Sequence, residues 1–86
     1  MKLEFNPRDV CSSRVTFDIT NGIVSDVHFF GGCNGNLQGV ARLVDGMRAE
    51  DVIARLKGIR CGANYTSCPD QFAHALEQGV KMEKGA

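Results

Sequence analysis

The 86-residue sequence has no tryptophan, no excess of either charge and no long apolar run. Ten lysine and arginine residues balance ten acidic residues, which argues against a broad basic face for nucleic acid and against a polybasic membrane anchor. No apolar stretch approaches the ~20 residues that span a bilayer. We expect one domain over residues 1–86, and domains this small often need a disulfide, a metal or a partner chain for stability.

The N-terminal residues, MKLEFNPRDVCSS, lack the apolar segment of a signal peptide, so we expect a cytoplasmic protein. Thiols are normally kept reduced in that compartment. Four cysteines there are more typical of metal ligands or redox chemistry than of two disulfides. No C-x-x-C pair is present, and the cysteine separations match no zinc-finger template, so spacing alone identifies no known site.

Two alternating segments predict a β-hairpin at residues 14–30. Asn21-Gly22 lies between them, and both residue types accept the positive φ angles of a two-residue hairpin turn. We expect a third strand at the edge of the sheet, from Lys2 to Phe5. The predicted inner face is Val15, Phe17 and Ile19 on the first hairpin strand and Ile23, Ser25, Val27 and Phe29 on the second, with Val24, Asp26, His28 and Phe30 facing outward.

After the hairpin the apolar residues recur with a helical period. The sequence predicts a first helix capped by Asn34 or Asn36 and ended by Gly46, a second over about 49–56, and a third that starts at Pro69. The tail KMEKGA is expected to fray. Strands followed by helices predict a two-layer α+β domain, with three helices on one face of a small antiparallel sheet made of the hairpin and the third strand.

The position of Cys68 is chemically informative. Proline is favoured at the first helical position, so Pro69 predicts that Cys68 is the N-cap of the third helix. Its sulfur would lie among unpaired backbone N–H groups at the positive end of the helix dipole, which favours the thiolate. Metal ligation and nucleophilic attack both require a thiolate.

The other three cysteines also lie at the ends of elements or in loops, where the functional groups of a scaffold are often found. Cys11 precedes the hairpin, Cys33 follows its second strand within FFGGCNGN, and Cys61 lies in the loop before the third helix. Cysteines that serve as small core residues would instead interrupt the apolar stripes. We therefore predict a metal site of Cys11, Cys33, Cys61 and Cys68, with sulfurs within about 4 Å of one another as in a tetrahedral thiolate site.

Four segments together resemble the small stand-alone TSCPD proteins, bacterial proteins with four cysteines. The segments are VCSSRVTFDI, GGCNGN, LKGIRCG and TSCPDQFAHAL. The resemblance covers nearly the whole chain, and the cysteines of that family fall on Cys11, Cys33, Cys61 and Cys68.

The same domain occurs at the C-terminal end of some adenosylcobalamin-dependent ribonucleotide reductase large chains. The resemblance therefore implies a link to deoxyribonucleotide synthesis and a larger enzyme, such as a ribonucleotide reductase chain, as partner. A ribonucleoside-diphosphate reductase label would be inherited from the neighbouring domain, because 86 residues cannot hold the barrel, the cobalamin site and the nucleotide sites. We do not expect this chain to be catalytic alone, and its oligomeric state stays open, with a homodimer as one option.

The expected metal is zinc, because a closed site of four thiolates suits zinc and contributes folding energy directly. An iron–sulfur carrier or scaffold is an alternative, with Asp70 or His74 assisting. It follows from a fainter likeness of GIVSDVHFFGGCNGNLQGVARLVDG and LKGIRC to scaffold proteins of the NifU type.

Two further alternatives use part of the same residues. In a thiol–disulfide relay, Cys68 would attack a disulfide and Cys61 would resolve the product. In the other, the glycines of residues 31–35, before a helix N-terminus, bind an anion or a nucleotide through backbone N–H groups. GGCNGN is, however, neither a dinucleotide-binding motif nor a P-loop.

Overall fold

The computed structural model describes residues 1–7, 12–31, 34–60, 62–63 and 65–85. The elements in chain order are β1 (Lys2–Phe5), β2 (Ser12–Thr20), β3 (Ile23–Gly31), α1 (Asn34–Val44), α2 (Ala49–Leu56) and α3 (Cys68–Gly85). A three-stranded antiparallel sheet followed by helices confirms the predicted α+β class. Among the helices described, none combines the length and the apolar character needed to cross a membrane.

The sheet has the order β1-β2-β3, so the predicted edge strand is confirmed and β2 lies in the centre. Asn21 and Gly22 have φ angles of 53° and 77°, the two positive values of a type I′ turn, whose twist matches that of the strands. The side chains of Val15, Phe17 and Ile19 are buried, as their alternation predicted.

The predicted inner face of β3 is wrong in its first half, because the strand contains a β-bulge. Val24 is fully buried, whereas Ile23 and Ser25 are only partly buried. The register shifts on β3 between Ser25 and His28, where Asp26 has a φ of 53°. An extra residue on one strand reverses the alternation on either side of it, so the predicted face is correct only from Val27 onward.

All three helices lie on one face of the sheet, as predicted. α1 packs against β3, α2 packs against α3, and α3 crosses β2 and β1. The fully buried ring of Phe72 on α3 lies edge-on to Phe17 and Phe29, with centroids 5.5 and 5.3 Å away. Edge-on aromatic pairs contribute about 0.5–1.5 kcal/mol beyond the area they bury, so Phe72 joins the first turns of α3 firmly to the sheet.

One end of the domain, which we call the turn end, is organised around Asn21-Gly22. The N–H of Gly46 donates to the carbonyl of Val24 at 2.7 Å, and the N–H of Ala49 donates to the carbonyl of Gly22 at 2.7 Å. α1 therefore ends, and α2 begins, beside the turn. Glu83, near the end of α3, accepts hydrogen bonds from the backbone N–H groups of Asn21 and Gly22, each at 2.9 Å.

The opposite end, which we call the far end, is where β2 begins and β3 ends. Ser12 and Gly31 are paired there. The N–H of Gly58, just beyond α2, donates to the side chain of Asp70 in the first turn of α3 at 2.7 Å. The end of α2 and the start of α3 therefore meet at the end of the domain away from the hairpin turn.

The predicted helix ends need two corrections. α3 continues to Gly85, so residues 81–85 of the tail are helical rather than frayed. The bonds from Asn21 and Gly22 to Glu83 give this last part of the helix tertiary contacts that the sequence pattern does not reveal. α1 begins at Asn34, so both predicted cap residues, Asn34 and Asn36, lie inside the helix.

Candidate functional site

Cys68 is the first residue of α3, and the N-cap is Ser67 rather than the predicted Cys68. The carbonyl of Ser67 accepts the N–H of Gln71 at 2.9 Å, the first bond of the helix, and its hydroxyl accepts the N–H of Asp70 at 3.2 Å. The prediction that Cys68 caps the helix is therefore wrong by one position. The half-buried Cys68 still lies in the first turn, where unpaired N–H groups concentrate.

The Ser67 hydroxyl also connects the helix start to the preceding loop. It donates to the carbonyl of Ile59 at 2.7 Å. Ile59 is two residues before Cys61 in the sequence, and Ser67 is directly before Cys68. The hydrogen bond therefore connects two residues that are close in sequence to two of the predicted metal ligands.

Asp70 is a buried structural acid at this site. Its Oδ2 accepts the hydroxyl proton of Thr66 at 2.6 Å, and its Oδ1 accepts the N–H of Gly58 at 2.7 Å. Burial alone would raise the pKa of Asp70, but the bonds from Thr66 and Gly58, together with nearby positive charge, outweigh it and lower the pKa. Both carboxylate oxygens are thus engaged in holding the loop and helix start together.

His74 lies between two carboxylates on the outer side of α3. Its Nε2 is 3.5 Å from Asp70 Oδ1, and its Nδ1 is 3.3 Å from Glu77 Oε1. Lys57 donates to Glu77 Oε2 at 3.0 Å, and this bond is the main cause that lowers the pKa of Glu77. The group forms a charged link between α2 and α3 beside the far end.

Cys11, Cys33 and Cys61 lie outside the described residues, so the convergence of four sulfurs stays a prediction. Their described neighbours can be placed. Ser12 follows Cys11 in the chain and is paired with Gly31, two residues before Cys33. Ile59, Gly58 and Ser67 lie where the end of α2 meets the start of α3.

Contacts along α3 show that these neighbours lie at the same end of the domain. Phe72, four residues after Cys68, packs against Phe29, two residues before Gly31. Toward the other end of the helix, an ideal Cβ built on Gly79 would lie 2.7 Å from Ile19 Cδ1, and Glu83 binds the turn. The helix therefore runs from the far end to the turn end.

Within residues 1–7, 12–31, 34–60, 62–63 and 65–85, no group of three His, Cys, Asp or Glu side chains is arranged to hold a metal ion. Asp26 and His28 form a separate polar pair on β3, with Nε2 of His28 2.9 Å from Oδ1 of Asp26. They line an open surface cavity of about 450 Å³ between β3 and α1. His28 is exposed, as predicted, and the cavity does not include Cys68.

The glycine segment after β3 is only partly described. Gly31 has a φ of 80°, a value that favours glycine, and helix α1 begins three residues later at Asn34. Gly32 and Cys33 lie outside the described residues, and the predicted anion site at Gly31 to Gly35 stays a prediction.

Ser67 and Glu83 are the two important residues that sequence reasoning missed. Ser67 had a signal, because Ser-Cys-Pro-Asp fits the S/T-x-x-D/E pattern of a capped helix start. Glu83 had none, because its partners lie more than sixty residues earlier in the chain. Its role depends on the direction in which α3 crosses the sheet.

Fold and site together define a small α+β domain in which the described neighbours of the cysteines border one end. The family model for the TSCPD domain matches residues 2–80, so the chain belongs to the TSCPD domain family. This confirms the resemblance carried by the four cysteine-containing segments. No curated protein and no solved structure matches the chain.

Proposed function

We propose that this chain is an accessory module in which Cys11, Cys33, Cys61 and Cys68 hold one zinc ion. The observation that carries the proposal is the common location, at the far end, of the residues that flank these cysteines. Two contacts between these flanking residues support it. Ser12 and Gly31, which are paired, are one and two residues from Cys11 and Cys33 in the sequence. Ile59 and Ser67, which are joined by a hydrogen bond, are two and one residues from Cys61 and Cys68 in the sequence.

The chemistry of the donors fits zinc. Consecutive Cα atoms are about 3.8 Å apart. Each cysteine is only one or two residues from a described residue at the far end, so the chain keeps it close to that end. Four thiolates form a closed tetrahedral zinc site with Zn–S distances of about 2.3 Å. Cys68 is half-buried in the first turn of α3, next to the N-cap Ser67. A zinc ion there would join the start of β2, the end of β3 and the start of α3.

The same end carries surface that suits a partner protein. Phe30, Ile59 and Tyr65 are 39, 42 and 68% exposed, and all three lie on segments that border the far end. Aromatic side chains are enriched in protein interfaces. Together with the family resemblance, this supports docking of the module on a larger enzyme of deoxyribonucleotide synthesis, with no reaction carried out by the module alone.

Elemental analysis of freshly purified protein, combined with an absorption spectrum under nitrogen, tests the metal. We expect about one zinc per chain, as a tetrathiolate site requires, and no visible absorption. Single Cys→Ser variants at the four positions should each weaken zinc binding by at least about tenfold, whereas Ser13→Ala, on the exposed start of β2, should retain it.

Other outcomes would overturn the zinc proposal. Iron with sulfide and a visible absorption band would identify an iron–sulfur carrier. Metal-free protein with two fast-reacting thiols would identify the relay of Cys61 and Cys68. Full zinc content in any two of the Cys→Ser variants would also contradict a site built from four thiolates.

The partner is tested separately, by calorimetric titration of the zinc-loaded module into an adenosylcobalamin-dependent reductase large chain that lacks its own C-terminal copy of the domain. We expect saturable binding that is weakened by Tyr65→Ser. The matched control is Met82→Ser, which changes an exposed side chain near the turn end. Absence of binding would overturn the proposed partner and leave the zinc result standing.

A further inference from the structure

We propose that Asn21 is a deamidation site that the last turns of α3 keep unreactive through Glu83. The Asn-Gly sequence is intrinsically susceptible, because glycine has no side chain to hinder attack by its own backbone nitrogen. Asn21 is exposed at the tip of the hairpin. Asparagine is among the thermolabile residue types, so its survival depends on the local geometry.

The reaction needs a backbone nitrogen that the structure holds in place. The nitrogen of Gly22 attacks Cγ of Asn21, the bond from Cγ to Nδ2 breaks, and ammonia leaves with the proton of the Gly22 amide. Water then opens the cyclic imide at one of its two carbonyl groups, which gives aspartate or isoaspartate. No oxidant or reductant takes part, and water is the only co-reactant.

Glu83 opposes this reaction directly. Its Oε1 accepts the N–H of Gly22 at 2.9 Å, and its Oε2 accepts the N–H of Asn21 at 2.9 Å. The carboxylate thus engages the proton that must be lost and fixes the nitrogen that must move. It also holds the turn at φ angles of 53° and 77°. Attack needs the two atoms in a near-attack arrangement, and a turn fixed at both residues resists the rotation that would create it.

The consequence is a chemical link between the end of α3 and the hairpin. When the last turn of the helix opens, the two bonds are lost and the reaction can start. The isoaspartate product inserts one extra backbone atom into a two-residue turn, and that turn would no longer match the register of β2 and β3. The rate of deamidation at Asn21 would therefore depend on how often the last turn of α3 opens.

The test compares wild type with Glu83→Ala and Glu83→Gln, incubated at neutral pH and body temperature. Deamidation is followed by peptide mapping with mass spectrometry. Glu83→Ala loses both hydrogen bonds to the turn. We expect it to deamidate at Asn21 at least about tenfold faster, the factor that corresponds to the loss of the single bond from the attacking nitrogen of Gly22 to a charged acceptor. Glu83→Gln keeps one acceptor oxygen and should fall between the two. The matched control is Glu50→Ala. Glu50 lines a shallow surface cavity at the turn end together with Glu83, whereas the hydrogen bonds described for the turn go to Glu83.

Two measurements keep the result interpretable. In strong denaturant all four proteins should deamidate at the same rate, because the sequence Asn-Gly is unchanged. Circular dichroism before incubation identifies any variant that has failed to fold, in which case Glu83→Gln carries the test. An unchanged rate in both folded Glu83 variants would overturn the proposal. A slower rate would also overturn it, since the carboxylate would then act as a base for the reaction.

Discussion

At the scale of single residues, Asp70 is the acid on which the proposed site depends most. It binds the loop before α3 through Thr66 and the end of α2 through Gly58. The side chain is only 8% exposed, so water cannot replace either partner easily. Removing its charge should loosen the far end of the domain while leaving the sheet intact.

We predict that Asp70→Asn lowers the free energy of unfolding by about 2 kcal/mol, because hydrogen bonds to a charged group contribute about 1.5–3 kcal/mol each. Urea unfolding followed by circular dichroism measures the change. The matched control is Asp51→Asn, which changes the third residue of α2. That acid is 57% exposed and 3.7 Å from Arg48, and its loss should cost less than about 0.5 kcal/mol.

Comparison of wild type with Asp70→Asn also gives a prediction about pH. The pKa of Asp70 is lowered by folding, so its carboxylate stabilises the folded state fully above the unfolded pKa of about 4. The contribution is lost as the pH falls through the lower, folded pKa. The difference in unfolding free energy between metal-free wild type and Asp70→Asn should stay constant from neutral pH to about 4 and shrink below it. A difference that shrinks well above that pH would contradict this assignment.

At the scale of elements, sequence patterns predicted the elements well and their ends less well. Asn21-Gly22 and the alternation on β2 were sufficient for the hairpin, because turn chemistry and period are local. The β-bulge at Asp26 was not predictable from the sequence. A single residue with positive φ reverses which side chains of β3 face the core, and no glycine marks its position in the sequence. For α3, the sequence predicts Cys68 as the N-cap and Pro69 as the first helical residue, whereas the observed N-cap is Ser67, one residue earlier.

Two glycines inside helices make a matched prediction about packing. A Cβ on Gly79 in α3 would lie 2.7 Å from Cδ1 of the fully buried Ile19 and 2.8 Å from Cδ1 of Leu3, so both side chains would have to shift to admit it. Gly79→Ala should therefore destabilise the protein by about 1 kcal/mol or more. Gly39 in α1 has no atom within 4 Å of the corresponding position, and Gly39→Ala should stabilise by about 0.5–1 kcal/mol. Thermal unfolding of both variants checks the contrast, and equal effects would mean that the packing at Gly79 is loose.

At the scale of the whole molecule, the domain has two ends that are held in different ways. The turn end is joined by hydrogen bonds from the backbone of the hairpin to α3 and to the connection before α2. The far end has its own hydrogen bonds around Asp70 and Ser67, and on our proposal also the zinc ion. The sequence predicts that the four cysteines share one end, and this stays a prediction. The direction of α3, which brings the start of that helix to the far end, follows from packing and could not be read from the sequence.

Under the proposed zinc site, metal removal should affect the two ends unequally. We predict that a chelator lowers hydrogen-exchange protection around Gly58 and in the first turn of α3, because binding free energy of a structural metal contributes to folding. The amide of Gly22 should keep most of its protection. Residue-resolved hydrogen exchange with and without chelator measures both. Equal loss of protection across the described residues would contradict this prediction, because it would mean that the two ends unfold as one cooperative unit.

The antiparallel arrangement of β1 and α3 also determines how this domain can be attached to something else. The amino group of Met1 donates to the carbonyl of Ile19 at 3.0 Å, and Gly85 ends the helix two residues beyond Glu83. A linker, an affinity tag or a solid support joined at either of these points would be anchored beside the hairpin turn. The opposite pole, with Cys68, Ile59 and Tyr65, would then point away from the attachment and stay open to solution.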